Sequence, residues 1–179
     1  MPPWLSIIKY YQKTESDQHS FSFVQLATVS KDNTPRVRTV VLRGWTNTYQ
    51  LIISTDKRSE KYSELESNNN VEICCFFPKS ECQFRLGGKS EIEMGNDKLI
   101  HWDKLSDQSK SIWGWPKPGG KYIYQNFNKS TNNEKTMRDN FALLKITINY
   151  VDQLLLKKPI HFRRRWIRRN EWIEERINP

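Results

Sequence analysis

The sequence predicts a mainly β protein with added α-helices (β plus α): a small antiparallel split β-barrel of six or more strands, flanked by short helices. Three observations carry this. β-rich runs recur along the chain, separated by short clusters of turn-forming residues. Helix-forming stretches interrupt them after the third run and after the fifth. Closing such a sheet on itself removes the unpaired edges that an open one exposes.

The elements follow in order. Trp4, Ile7, Ile8 and Tyr11 recur at helical spacing behind Pro2 and Pro3, which predicts an amphipathic helix over 3–13 within an N-terminal helical segment, 1–15. FSFVQLATVS, RVRTVVLRGW and YQLIIST, joined by KDNTP and TNT, predict an antiparallel meander. In DKRSEKYSELESNNN, Tyr62 and Leu65 lie three apart among helix formers and an asparagine run supplies the stop, so a short helix leaves the third strand.

VEICCFFP and CQFRLGGKSEIEM read as two further strands around the turn PKSE, with Gly87 and Gly88 marking a bulge or a close backbone approach. NDKLIHWDKL and SDQSKSIWGW predict two short helices opened by Asn, Asp or Ser. Residues 116–139 are polar, turn-rich and aperiodic, which predicts a long loop that serves as a lid or an excursion. FALLKITINY, PIHFRRRWIRR and EWIEERI then supply C-terminal strands over 141–179. The length fits one domain, 1–179, with one core.

Lys and Arg outnumber Asp and Glu by 29 to 20, a formal charge of +9 that suits a phosphorylated ligand, nucleic acid or an anionic surface. Cys74, Cys75 and Cys82 have neither Cys-x-x-Cys nor zinc spacing, so they read as reduced thiols of a cytoplasmic protein. With no secretory signal and no apolar run of about 18 residues, no membrane association is expected. His19, His101 and His161 are scattered, and no Gly-rich nucleotide loop or Gly-x-Ser-x-Gly elbow is present, so hydrolase and metal-site readings lack support.

Two constellations point to an anion. In STDKRSEK a strand ends where a helix begins, so free amides and the positive helix end coincide with the hydroxyls of Ser54, Thr55 and Ser59 and the charges of Arg58 and Lys61. A capped, solvated helix start explains the same residues equally well. In PIHFRRRWIRR, alternation puts His161, Arg163 and Arg165 on one face, where they repel one another unless something anionic lies over them. Alternation also sends Arg38 and Arg43 of RVRTVVLRGW to opposite faces, unless a bulge or a twisted strand end intervenes. Gln83 carries an amide that can donate and accept at once, as a flavin's pyrimidine edge requires.

The ordered series RTVVLR, STDKRSEK, FFPKSECQFRLGG, SIWGW and WIEERINP resembles the pyridoxamine 5'-phosphate oxidase family, and within it the branch of cyanobacteria and plants. The resemblance covers residues 20–115 and 141–179. It implies an FMN-binding split barrel, a homodimer with FMN (flavin mononucleotide) at the subunit interface. Arg38 and Arg43 match the two basic positions of the flavin-binding strand, and the backbone of Thr39, Val40, Val41 and Leu42 would lie along the ring. Thr55, Ser59 and Lys61 match phosphate-binding positions, Gln83 a glutamine that contacts the ring, and Arg165 a C-terminal arginine; Gln83 and Arg165 would come from the second subunit.

The sequence also departs from the family. Glu60 stands where the family has the arginine of Ser-Arg-Lys, with Arg58 as its substitute. His161, Arg163 and Arg165 exchange the first two residue types of Arg-x-His-x-Arg, and Trp102, Ser106 and Lys110 occupy the places of the Tyr, Arg and Ser that hold the substrate phosphate. The resulting expectation is an FMN-dependent oxidoreductase with an altered pocket, in which His161, Arg163 and Lys110 face a small-molecule substrate, phosphorylated or not. Two other readings stand beside it: a non-catalytic flavin-binding module acting as carrier or sensor, and, with less support, a basic nucleic-acid-binding protein whose seven tryptophans stack on bases.

Overall fold

Strand pairing closes a barrel in the computed structural model, which describes residues 1–15, 23–122 and 130–179. The strands are β1 (Phe23–Val29), β2 (Pro35–Trp45), β3 (Leu51–Asp56), β4 (Asn70–Phe77), β5 (Cys82–Glu93), β6 (Phe141–Leu155), β7 (Phe162–Arg168) and β8 (Trp172–Ile177). They pair in the order β3-β2-β1-β4-β5-β6-β7-β8, and β3 pairs again with β6. Six strands therefore close on themselves while β7 and β8 extend the sheet outward from β6, all antiparallel.

Alternation fills the interior. Val71, Ile73, Cys75 and Phe77 of β4 and Cys82, Phe84 and Leu86 of β5 point inward with Leu26, Val40, Leu42 and Ile53. Helix α1 (Pro3–Thr14) adds Trp4, Leu5 and Ile8, with Trp4 wedged between Trp45 at 5.7 Å and Trp172 at 5.5 Å. Its end is tied down by Glu15, whose carboxylate accepts from the amides of Lys79 and Ser80 at 3.0 and 2.7 Å.

A second core lies on the other side of β3. Helix α2 (Glu60–Ser67) follows β3, while α3 (Asn96–Asp103), α4 (Asp107–Ser111) with its 3-10 turn (Ile112–Gly114), and α5 (Glu134–Asn140) lie between β5 and β6. Trp102, Trp113 and Met137 from this excursion pack with Ile52, Phe141 and Leu143. Thus β3 is buried on both faces, Ile53 in the barrel and Ile52 outside it.

The segment expected to be a loop over 116–139 contains most of α5. Asn133 caps that helix by accepting from the Thr136 amide at 3.0 Å, and Met137 alone is buried, too little apolar pattern to announce a helix. Residues 16–22, with His19 among them, and 123–129 of that segment lie outside the described residues. The register of β5 on β6 shifts between Gly87 and Gly88, and a Cβ on Gly88 would stand 2.2 Å from the Thr147 carbonyl oxygen, so the glycine there permits a close backbone approach. No helix among the described residues is long and apolar enough to cross a membrane.

Candidate cofactor site

Arg38 shares the inward face of β2 with Val40 and Leu42, at the strand's outer end. Its guanidinium donates to the Glu64 carboxylate of α2 at 2.7 Å and to the Thr28 hydroxyl of β1, while Thr28 in turn donates to Glu64. The antiparallel pairing of β1 with β2 and the packing of α2 against β1 create this three-way junction.

Lys61 lies one turn before Glu64. Its half-buried ammonium has no ion pair or hydrogen bond among the described residues. Burial pushes its pKa below the usual lysine value and the neighbouring Arg38 charge adds to this, against weaker opposition from Asp56 and Glu64. Beside it the buried hydroxyls of Thr55 and Ser59 approach to 3.4 Å, and Ser59 donates to the Asp56 carbonyl at 2.6 Å. Of the first-turn amides of α2, that of Tyr62 donates to the Ser59 carbonyl at 3.1 Å, while those of Glu60 and Lys61 precede any intrahelical acceptor. Two cations, paired hydroxyls and a helix start together offer donors for a phosphate.

The other predicted residues are distributed differently. The β2–β3 register shifts between Leu42 and Gly44, whose φ is 131°, so Arg43 sits in a bulge. It still points away from Arg38 and donates from Nε to the Ser54 hydroxyl at 2.9 Å. Burial lowers its pKa, and its charge helps depress that of His101 on α3, where burial is the main cause. Between the two arginines, Val40 and Leu42 are buried, Val41 is half-buried and Thr39 is exposed. The Arg58 guanidinium is engaged by Asp56 at 3.0 and 2.7 Å and by the Trp113 carbonyl at 3.5 Å. Glu60, at the place of the family's arginine, is exposed.

Gln83, Arg163 and Arg165 belong to the outer face of β5 and β7, and among the described residues no hydrogen bond or ion pair joins them to the Arg38 group. The anions over the basic strand are the chain's own. Asp152, 1% exposed, accepts from Arg163 at 3.0 to 3.2 Å, from Arg85 at 3.3 Å and from the Tyr150 hydroxyl at 3.0 Å. Arg165 pairs with Glu175 at 2.7 Å. Arg164, on the opposite face, stacks over Trp166 at 4.5 Å and pairs with Glu174 at 3.0 Å. His161 precedes β7, is exposed, and borders an open cleft with Arg176.

Lys110 lies over the Trp102 ring at 5.6 Å. Trp102 itself is fully buried and donates to Glu134 at 3.5 Å, and Ser106 caps α4 by accepting from the Ser109 amide at 3.2 Å. Both therefore serve the fold locally. Sequence reasoning did not single out Glu64 or Asp152. Glu64 left one trace, a carboxylate at i+3 from Lys61 on a helix; Asp152 left none, because its partners come from three places along the chain.

A barrel of six closed antiparallel strands with a donor cluster where β3 meets α2 has the architecture of the flavin-binding split barrels. Residues 1–93 match the family described as "Pyridoxamine 5'-phosphate oxidase, FMN-binding domain", and the chain belongs to that family, whose domain binds FMN as its cofactor. It is 35% identical over 126 residues to pyridoxine/pyridoxamine 5'-phosphate oxidase 2 of Arabidopsis thaliana, 65% of this chain and 64% of that relative's length. A pyridoxamine 5'-phosphate oxidase-related, FMN-binding protein from Nostoc punctiforme superposes with a TM-score of 0.90 at 30% identity, covering 100% of this chain and 99% of the other. PhzG from Burkholderia lata shares the fold, with a TM-score of 0.83 at 13% identity over 98% of this chain and 92% of that one. The residues present fit FMN's phosphate: Lys61 is a half-buried cation with no ion pair among the described residues, it feels the charge of neighbouring Arg38, and the Thr55 and Ser59 hydroxyls meet at the same strand-to-helix junction.

Proposed function

We propose that the protein is an FMN-dependent oxidoreductase with an altered substrate pocket, working as a homodimer. The observation that carries the reading is the gathering of Arg38, Thr55, Ser59 and Lys61, which has no ion pair among the described residues, at one end of β2 and β3, in a chain of an FMN-binding family. These four hold the phosphate, and the β2 backbone from Thr39 to Leu42 lines the ring. Hydride transfer to or from substrate is the chemistry that FMN supplies when bound. The chain's own part is to bind, to orient and to set the local charge.

The substrate side rests on His161, Arg163 and Lys110. Trp102 and Ser106 are already engaged in packing and capping, which supports a substrate other than one held by the family's Tyr, Arg and Ser trio. A twofold contact is supported by the outer sheet face, where exposed Phe76 of β4 lies directly opposite Gln83 of β5 and exposed Phe23 belongs to the neighbouring strand β1. Such a contact would bring Gln83 and Arg165 of one protomer toward the phosphate group of the other.

The test is direct. Purified protein should show flavin absorbance, release FMN by mass on heating and have the solution mass of a dimer; it should bleach without oxygen under a candidate amine or reduced nicotinamide and recover colour in air. A colourless protein that takes up no added FMN would refute flavin binding. A yellow one that no donor reduces would point to a carrier or sensor.

A further inference from the structure

We infer that Glu64 is a positioning residue for the cofactor phosphate, fixing the Arg38 guanidinium beside Lys61 before the phosphate arrives. The inference rests on the phosphate assignment made above. The Glu64 side chain is 6% exposed and that of Arg38 22%, so their 2.7 Å pair is shielded from competing water. One carboxylate oxygen serves both Arg38 and Thr28, and Thr28 also accepts from Arg38, so the three groups lock one another.

This arrangement engages Nη1 and Nη2 and leaves the Nε proton of Arg38 without an acceptor among the described residues. A guanidinium has five N–H donors in a rigid fork, so anchoring one edge aims the other. Without the carboxylate, Arg38 and Lys61 would be two neighbouring half-buried cations, and the long arginine chain would gain rotamer freedom by turning toward solvent.

A purely structural Glu64 would affect any flavin alike, whereas a phosphate-positioning one affects only a phosphorylated flavin. Protein stripped of flavin is titrated with FMN and with riboflavin, which lacks the phosphate, for the parent, Glu64→Gln and Thr28→Val. The parent should favour FMN. Glu64→Gln should weaken FMN by about tenfold with riboflavin unchanged within about twofold, and Thr28→Val should act in the same direction more weakly. An unchanged ratio of the two affinities overturns the inference. So does tighter FMN binding by Glu64→Gln, the result expected if the carboxylate merely repels the phosphate. Should Glu64→Gln fail to fold, Thr28→Val decides alone. A parent that binds both flavins equally would instead refute the phosphate assignment itself.

Discussion

Arg43 donates to the Ser54 hydroxyl at 2.9 Å on the face of the sheet opposite the Arg38 guanidinium, although both arginines leave the same strand. Their contributions to binding should therefore separate. Arg38→Ala and Lys61→Ala should each weaken FMN by about 1.5 to 3 kcal/mol, the range for a hydrogen bond to a charged group. Because these two neighbours share one ligand group, the double variant should lose clearly less than the sum; Arg43→Ala should add to either within about 0.5 kcal/mol. Flavin titrations of the singles and doubles check both statements, and strict additivity of Arg38 with Lys61 would count against a shared phosphate.

The depressed pKa of Lys61 gives a pH signature. In the flavin-free fold, burial and then the Arg38 charge hold it below the ordinary lysine value of 10.5, so the charged form costs stability at pH values below the folded pKa. That cost is relieved as pH rises through the folded pKa toward the unfolded one. A bound phosphate favours the charged form, so FMN affinity should stay level through neutral pH and fall through the alkaline range below 10.5. Lys61→Arg, which remains protonated there, should flatten the profile.

Asp152 predicts an acid response. Desolvation alone would raise its pKa, but hydrogen bonds from Arg163 and Tyr150, with the charges of Arg85 and Arg163, outweigh it and hold the carboxyl below its ordinary value. Its stabilisation is present above the unfolded pKa of about 3.9 and is lost as pH falls through the folded one. Asp152→Asn should cost about 2 kcal/mol at neutral pH, a modest figure because the arginines remain partly in water. Urea unfolding should find that gap narrowing below about pH 4, as first the unfolded and then, lower still, the folded carboxyl takes up its proton; a gap that persists in strong acid would mean the effect is steric.

Gly88→Ala should destabilise by on the order of 3 kcal/mol, since backbone rather than a flexible side chain must move. The added methyl would meet the Thr147 carbonyl oxygen at 2.2 Å. Gly87→Ala, whose Cβ would first meet the Tyr150 side chain at 3.5 Å, should be far milder. Denaturant midpoints of the pair test the contrast.

Much of this architecture was legible because its signals are local. Alternation in FVQLATV, VEICCFF and CQFRLGG, and the change to helix formers after Asp56, placed β1, β4, β5 and α2 correctly. Helix α5 was hidden because a single buried methionine writes no period. The donor cluster at STDKRSEK was visible in outline, yet which arginine joins it depends on carboxylates elsewhere. Asp56 takes Arg58, and Glu64 holds Arg38. The basic strand invited an external anion for the same reason: Asp152 and Glu175 reach Arg163 and Arg165 only through strand register.

The β3–β6 seam that completes the barrel joins Leu51 to Ile146 and Asp56 to Phe141, while every other barrel pairing joins neighbours in sequence or, for β1 with β4 and β5 with β6, nearer ones. Chain entropy makes so distant a pairing slow to reward. The meander and the β4–β5 hairpin are thus poised to assemble early and the seam late. Since Thr55 lies on that seam opposite Ala142, the anion pocket would mature only with the last turn of folding, and ligand would act as a latch on the finished ring.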